Sequence, residues 1–295
     1  MWLAKLRDFS IVLASLFLIN AINPIDFLLA EPLINLPAPP LIENRVVEGS
    51  VCGHYLTRDL AFQILDSSVR VQTPGGSGSG VLLWSGVSAI DSSTYYSYVI
   101  TNRHVVRDES VPIIIEKFEY LNQRQISSMV TYTGKVIAIS DFPDLALVEI
   151  KSEKLISGAG HLNIGTTYDA VKLYDTIFTA GCPLGNNPFI TQGHIVEINE
   201  GAIFSTAFAI FGNSGGGNYL SDGSMVGISS IIMQIMTSEK ATPIPIGDYA
   251  VLIPSNVVAD WIDLKGFGFV LGETYGSLDD LLIERRVEKL LKYHK

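Results

Sequence analysis

From Ser68 to Ile253 the chain is a succession of short apolar or alternating runs, each soon cut off by glycine, proline, asparagine or aspartate. A chain interrupted this often reads as strands joined by tight turns. The runs are SVRVQT (68–73), GVLLWS (80–85), SYVIT (97–101), VPIIIEKF (111–118), KVIAIS (135–140) and LALVEI (145–150), then DTIFTAG (175–181), ITQGHIVEI (190–198), GAIFSTA (201–207), SMVGISSII (224–232) and YAVLI (249–253). None is followed by a helix long enough to carry a parallel crossover, so a doubly wound α/β sheet is excluded and an all-β sandwich or barrel remains. The 26 glycines and only 17% charged residues suit that reading better than a helical bundle. Helical patterns stand only at the margins: 57–65, 254–264 with Ser255 and Asn256 as capping residues, and an amphipathic stretch at 278–293.

The ends differ from this body. Lys5 and Arg7 precede an apolar run from Ile11 to Ile22, shorter than the roughly 20 residues that cross hydrocarbon comfortably. Residues 1–30 therefore read as a signal peptide or an N-terminal membrane anchor, with the basic flank inside and everything after it outside the cytoplasm. Residues 31–44, EPLINLPAPPLIEN, carry four prolines and no periodicity, and read as a spacer. The folded domain is expected over 45–265, with a tail over 266–295. The formal charge of −10 opposes phosphate backbones and argues against a nucleic-acid partner. Cys52 and Cys182, the only cysteines, are not a disulfide framework, although an exported chain could bridge them. Two cysteines and no histidine pair at ligand spacing argue against zinc.

The strongest local signal is FGNSGGGNY, 211–219. A serine hydroxyl becomes a nucleophile only when a base removes its proton, and the oxyanion that follows needs donors already aimed at it. Gly212 lets the chain turn so that its own N–H and that of Ser214 point into one concavity. Alone, the motif is equally a glycine-rich turn with an incidental serine. Candidate bases are His54, His104, His161, His194 and His294, of which His104 stands at the end of the strand SYVIT, where a side chain can project from a rigid scaffold. The carboxylate that orients the base is Asp144, opening LALVEI, with Asp141 as its rival. In chain order His, Asp, Ser, these residues match the chymotrypsin-like arrangement.

Several blocks in the same order resemble the high-temperature-requirement (HtrA/Deg) branch of the trypsin-like serine endopeptidases. They are GSGSGVLL (76–83), YVITNRHVV (98–106), GKVIAISDFPDLALVEI (134–150), GCPLG (181–185), TQGHIVEI (191–198), GNSGG (212–216) and YAVLIPSNVV (249–258). The resemblance implies an all-β fold of two perpendicular six-stranded antiparallel barrels. It makes His104, Asp144 and Ser214 catalytic, with Gly212 and Ser214 supplying oxyanion N–H groups. It places Phe208, Ala209, Ile210 and Phe211 in the wall of the specificity pocket and Ile228, Ser229 and Ser230 on the strand that pairs with substrate. The implied activity is endopeptidase cleavage of extended or unfolded polypeptide, without a cofactor, in extracytoplasmic quality control or processing. About thirty residues follow the protease body, too few for the PDZ domain usual in that branch. Attachment to a membrane through the N-terminus and assembly into a homotrimer are compatible with the sequence. The rival readings are a catalytically silent peptide-binding module on the same fold and a carbohydrate-binding sandwich, the latter without a cluster of exposed aromatics in its favour.

Overall fold

Twelve antiparallel strands form two closed six-stranded barrels in the computed structural model. It describes residues 56–88, 91–108, 110, 112–121, 125–160, 162, 169, 171–235 and 244–272. The export segment, the proline-rich spacer, Cys52, His54, His161, His294 and the amphipathic stretch at 278–293 lie outside them. All of the described residues fall within one unit, Cys52–Lys295; the other, Met1–Val51, lies outside them.

The first barrel contains β1 (Ser68–Thr73), β2 (Gly76–Val87), β3 (Tyr95–Thr101), β4 (Ile113–Leu121), β5 (Gln125–Ser140) and β6 (Leu145–Ser152). Around it the strands run β1-β2-β3-β6-β5-β4, and β4 pairs back onto β1. The second contains β7 (Thr176–Gly181), β8 (Phe189–Asn199), β9 (Ala202–Ser205), β10 (Gly217–Tyr219), β11 (Met225–Ile235) and β12 (Ile244–Pro254), in the order β10-β11-β12-β9-β8-β7. Helix α1 (Arg58–Ser67) leads into β1 and is capped by the Thr57 hydroxyl, which accepts from Leu60 N–H. A four-residue helix, α2 (Arg103–Val106), follows β3, and α3 (Ser255–Leu264) follows β12 after Pro254.

Strand alternation accounts for the near-continuous apolar runs. Leu82, Val99, Ala146 and Val148 point into the first barrel with Val69, Val71, Ile113 and Ile115. Their neighbours Val81, Leu83, Tyr98, Ile100, Leu145 and Leu147 face the other way, into a layer shared with Tyr219, Met225 and Ile228 of the second barrel and Trp261 of α3. Because the side-chain period is two, a strand buried on both faces shows no polar alternation. Ile177, Ile195, Ile203, Val226 and Leu252 fill the second barrel.

Most element bounds shift by a few residues from the sequence reading, and three departures are of another kind. β5 begins ten residues before KVIAIS, because QISSMVTYTG forms a ladder with β4 while most of its side chains stay in solvent. β10 is a three-residue strand inside the glycine-rich run, where no alternation marks it. Ser255 is the first residue of α3 rather than its cap, a place taken by Pro254.

Candidate active site

His104 does not end a strand as expected: β3 stops at Thr101, and the histidine sits on α2. Its own N–H donates to Asp144 Oδ1 at 3.0 Å, and its Nδ1 lies 2.6 Å from Asp144 Oδ2. Asp144 is the last turn residue before β6, and its backbone carbonyl is held by Asn102 Nδ2 at 2.9 Å. A carboxylate can only accept, so Nδ1 carries the proton of this pair and Nε2 is left to act as a base. Burial pushes the Asp144 pKa up, but the hydrogen bonds and charge of His104, with a further bond from Ser230, outweigh it and hold the carboxyl below its ordinary value. Asp141, the rival carboxylate, is an exposed partner of Arg103 Nε at 2.9 Å. His194 lies within β8, its N–H on the Thr206 hydroxyl.

Ser214 lies in a turn whose carbonyls are all engaged. Ile210 C=O accepts from Asn213 N–H (3.0 Å), Phe211 from Leu184 N–H (2.6 Å), Asn213 from Gly216 N–H (2.9 Å) and Ser214 from Ser79 N–H (2.8 Å). Gly212 C=O accepts from the Ser79 hydroxyl at 2.6 Å. Among the described residues, Gly212 N–H and Ser214 N–H make no hydrogen bond. Since a trans peptide sets N–H opposite C=O, the Phe211 carbonyl on Leu184 turns Gly212 N–H away from Leu184. The turn requires glycine at two places. Gly212 has φ 99° and Gly215 φ 87°; a Cβ on Gly212 would stand 2.6 Å from Leu184 N, and one on Gly215 would press on the Ser79 carbonyl and the Thr101 hydroxyl. Two N–H groups left unused on such a braced turn can receive an anionic oxygen.

The serine turn is tied to the histidine and aspartate through Ser230. Its hydroxyl donates to Asp144 Oδ2 at 3.1 Å, while the preceding Ser229 accepts Gly215 N–H at 2.8 Å and donates its N–H to Gly216 C=O at 2.9 Å. Among the described residues no hydrogen bond joins Ser214 Oγ to the imidazole. A family model described as "Trypsin-like peptidase domain" matches residues 78–228, just over half of the chain.

The chain belongs to this trypsin-like family. Its relatives include the periplasmic serine endoprotease DegP of Salmonella typhimurium, 29% identical over 177 residues, covering 55% of this chain and 34% of that protein. A DegP-like periplasmic endoprotease of Chlamydia trachomatis is 30% identical over 146 residues, with 46% and 26% covered. The HtrA-like serine protease of Staphylococcus epidermidis is 29% identical over 170 residues, with 51% and 27% covered. The chain thus spans about a third or less of these relatives' own length. Among solved structures, the serine endoprotease of Yersinia pestis aligns with a TM-score of 0.52 at 19% identity, covering 71% of this chain and 66% of that one. Deg5 aligns with 0.50 at 21%, covering 68% and 90%. Both carry the same fold. The expected resemblance to HtrA/Deg serine proteases therefore stands.

The trypsin-like domain places the other expected site residues unevenly. Phe208 and Phe211 are exposed, Ile210 is half-buried, and Ala209 is sealed inside the second barrel, so Ala209 can shape a pocket floor but offers little surface. Ile228 is fully buried and paired on one side with Gly217 and on the other with Ile253, which leaves it no edge for a substrate strand. Ser229 spends its N–H and C=O on the glycine turn and its hydroxyl on Asn218 Nδ2. Of the three strand residues only Ser230 lies past both β10 and the glycine turn. Its hydroxyl on Asp144 went unread in the sequence, because nothing local distinguishes the two serines of ISS. Cys182 is a buried free thiol whose pKa burial pushes up to about 12, so it is inert near neutral pH.

Proposed function

We propose that this trypsin-like domain is a serine endopeptidase with Ser214 as nucleophile, His104 as base and acid, and Asp144 as the carboxylate that orients the imidazole. The observation that carries the reading is the double contact of His104 with Asp144, through its backbone N–H and through Nδ1. Nε2 takes the Ser214 proton as the hydroxyl oxygen attacks the peptide carbonyl. Gly212 N–H and Ser214 N–H receive the oxyanion, and the proton passes to the departing amine. Water, deprotonated by the same imidazole, then releases the acyl group. The missing contact between Ser214 Oγ and the imidazole is one that forms or tightens when substrate is bound.

The substrate on this reading is extended polypeptide. β11 has no β10 partner beyond Ile228, and a peptide strand could add there from Ser230 onward. The pocket wall Phe208, Ala209, Ile210 and Phe211 contains no acid. An unpaired cation in an apolar slot costs several kcal/mol, so cleavage should follow small or medium apolar residues such as Val, Ala or Leu. The DegP relatives are periplasmic serine endoproteases, which supports work outside the cytoplasm, as does the basic-then-apolar N-terminus.

The test is digestion of denatured casein by purified wild type and Ser214→Ala. Wild type should cut and the variant should lose about 10⁴-fold or more in rate. A wild type that binds casein without cutting it would identify a silent peptide-binding module instead.

A further inference from the structure

The first barrel reaches into the serine turn through one side chain that no role has yet been given. Ser79, on β2, is wholly buried. Its hydroxyl accepts Cys182 N–H at 2.7 Å and donates to Gly212 C=O at 2.6 Å. Its backbone N–H donates to Ser214 C=O at 2.8 Å, and its own carbonyl is held by the Thr101 hydroxyl at 2.7 Å. One residue thus fixes two of the five turn carbonyls and stands between the strand that precedes the histidine and the loop that carries the serine.

Gly212 is the point at which the turn could give way. Glycine at φ 99° has access to other backbone wells at little steric cost, and rotation there would redirect its N–H. Leu184 N–H on Phe211 C=O restrains the peptide before Gly212; the Ser79 hydroxyl restrains the peptide after it. With the hydroxyl gone, Gly212 C=O and Cys182 N–H would both lose their partner, and a buried polar group without one favours rearrangement. Gly212 could then reach another acceptor or donor by turning.

We propose that Ser79 is a positioning residue of the peptidase reaction: its hydroxyl locks Gly212 so that the N–H groups of Gly212 and Ser214 face one point. This rests on the reading of those two groups as oxyanion donors. Ser79 touches no reacting atom, so its effect should fall on the transition state rather than on substrate binding.

The experiment compares wild type, Ser79→Ala and Ser214→Ala on a peptide anilide with Val at the cleaved bond. It adds inhibition by the corresponding peptide aldehyde, which forms a tetrahedral adduct with the serine, and by the peptide alcohol, which cannot. Ser79→Ala should still fold, with a thermal transition lowered by the two groups left without a partner, keep its KM within about twofold, lose about 10- to 100-fold in kcat, and weaken aldehyde binding by a similar factor while alcohol binding stays unchanged. A kcat within twofold of wild type, or equal weakening of aldehyde and alcohol, overturns the proposal while the triad stands. Turnover retained by Ser214→Ala overturns the triad and this proposal together. If Ser79→Ala does not fold, Ser79→Cys, which keeps a weak donor, is read by the same criteria and should fall between wild type and that range.

Discussion

Two aspartates three residues apart, Asp141 and Asp144, meet two different partners. Asp144 faces the imidazole and is sheltered; Asp141 pairs with Arg103 in solvent. Asp144→Asn should therefore cost several orders of magnitude in kcat, since the amide cannot favour the same tautomer, whereas Asp141→Asn should stay within a few fold. Peptide hydrolysis by the two purified variants checks this, and the reverse order would assign the orienting carboxylate to Asp141. The lowered Asp144 pKa also carries a stability consequence. Its ionised form is favoured by folding, so that contribution is complete above the unfolded value near 4 and is lost as pH falls through the lower folded value. Urea unfolding of wild type and Asp144→Asn should show a stability difference that is flat from about pH 5 upward and shrinks below about pH 4. A difference that grows on acidification would contradict it. The candidate residues His104, Asp144 and Ser214 could be singled out in the sequence because each stands beside a strong pattern: an apolar run just before it, a turn, a glycine cluster. The contacts of Ser79 and Ser230 were not legible there, because their partners lie in the other barrel and no local pattern records a contact across that distance.

At the scale of elements, the shared layer between the barrels carries much of the packing. Leu147 is wholly buried there, and Leu147→Ala should lower stability by about 2–5 kcal/mol, measured by chemical unfolding. A loss under 1 kcal/mol would mean that the layer collapses around the gap. The glycine turn is less tolerant. Gly215→Ala places a Cβ against Ser79 and Thr101 at a positive φ, and should abolish hydrolysis even where the protein remains folded. Strands buried on both faces were readable as apolar runs, and those with one solvent face as alternation. The first ten residues of β5 carry no strand signal in the sequence, because a strand held mainly by ladder hydrogen bonds, with polar side chains outward, leaves no hydrophobic period. β10 is too short to show one, and α2 hides His104 in a single helical turn that continues an apparent strand.

In the whole molecule two barrels, one carrying His104 and Asp144 and the other Ser214, follow in sequence an N-terminus that reads as an export segment. If that segment works, protease added to intact or outer-membrane-permeabilised cells should reach the folded domain; protection together with the cytosol would contradict the proposed location. Cleavage sites mapped in denatured casein should follow Val, Ala or Leu, with about 1–3 kcal/mol of discrimination from a fitted apolar pocket. Dominant cleavage after Lys or Arg would rule out the pocket formed by residues 208–211. Whether Ser214 is an activated nucleophile is read by covalent labelling with a fluorophosphonate followed by peptide mass mapping. One adduct on Ser214 is predicted, formed by the native protein and lost both on unfolding and in His104→Ala. No adduct on the native wild type, or one on another residue, would contradict it.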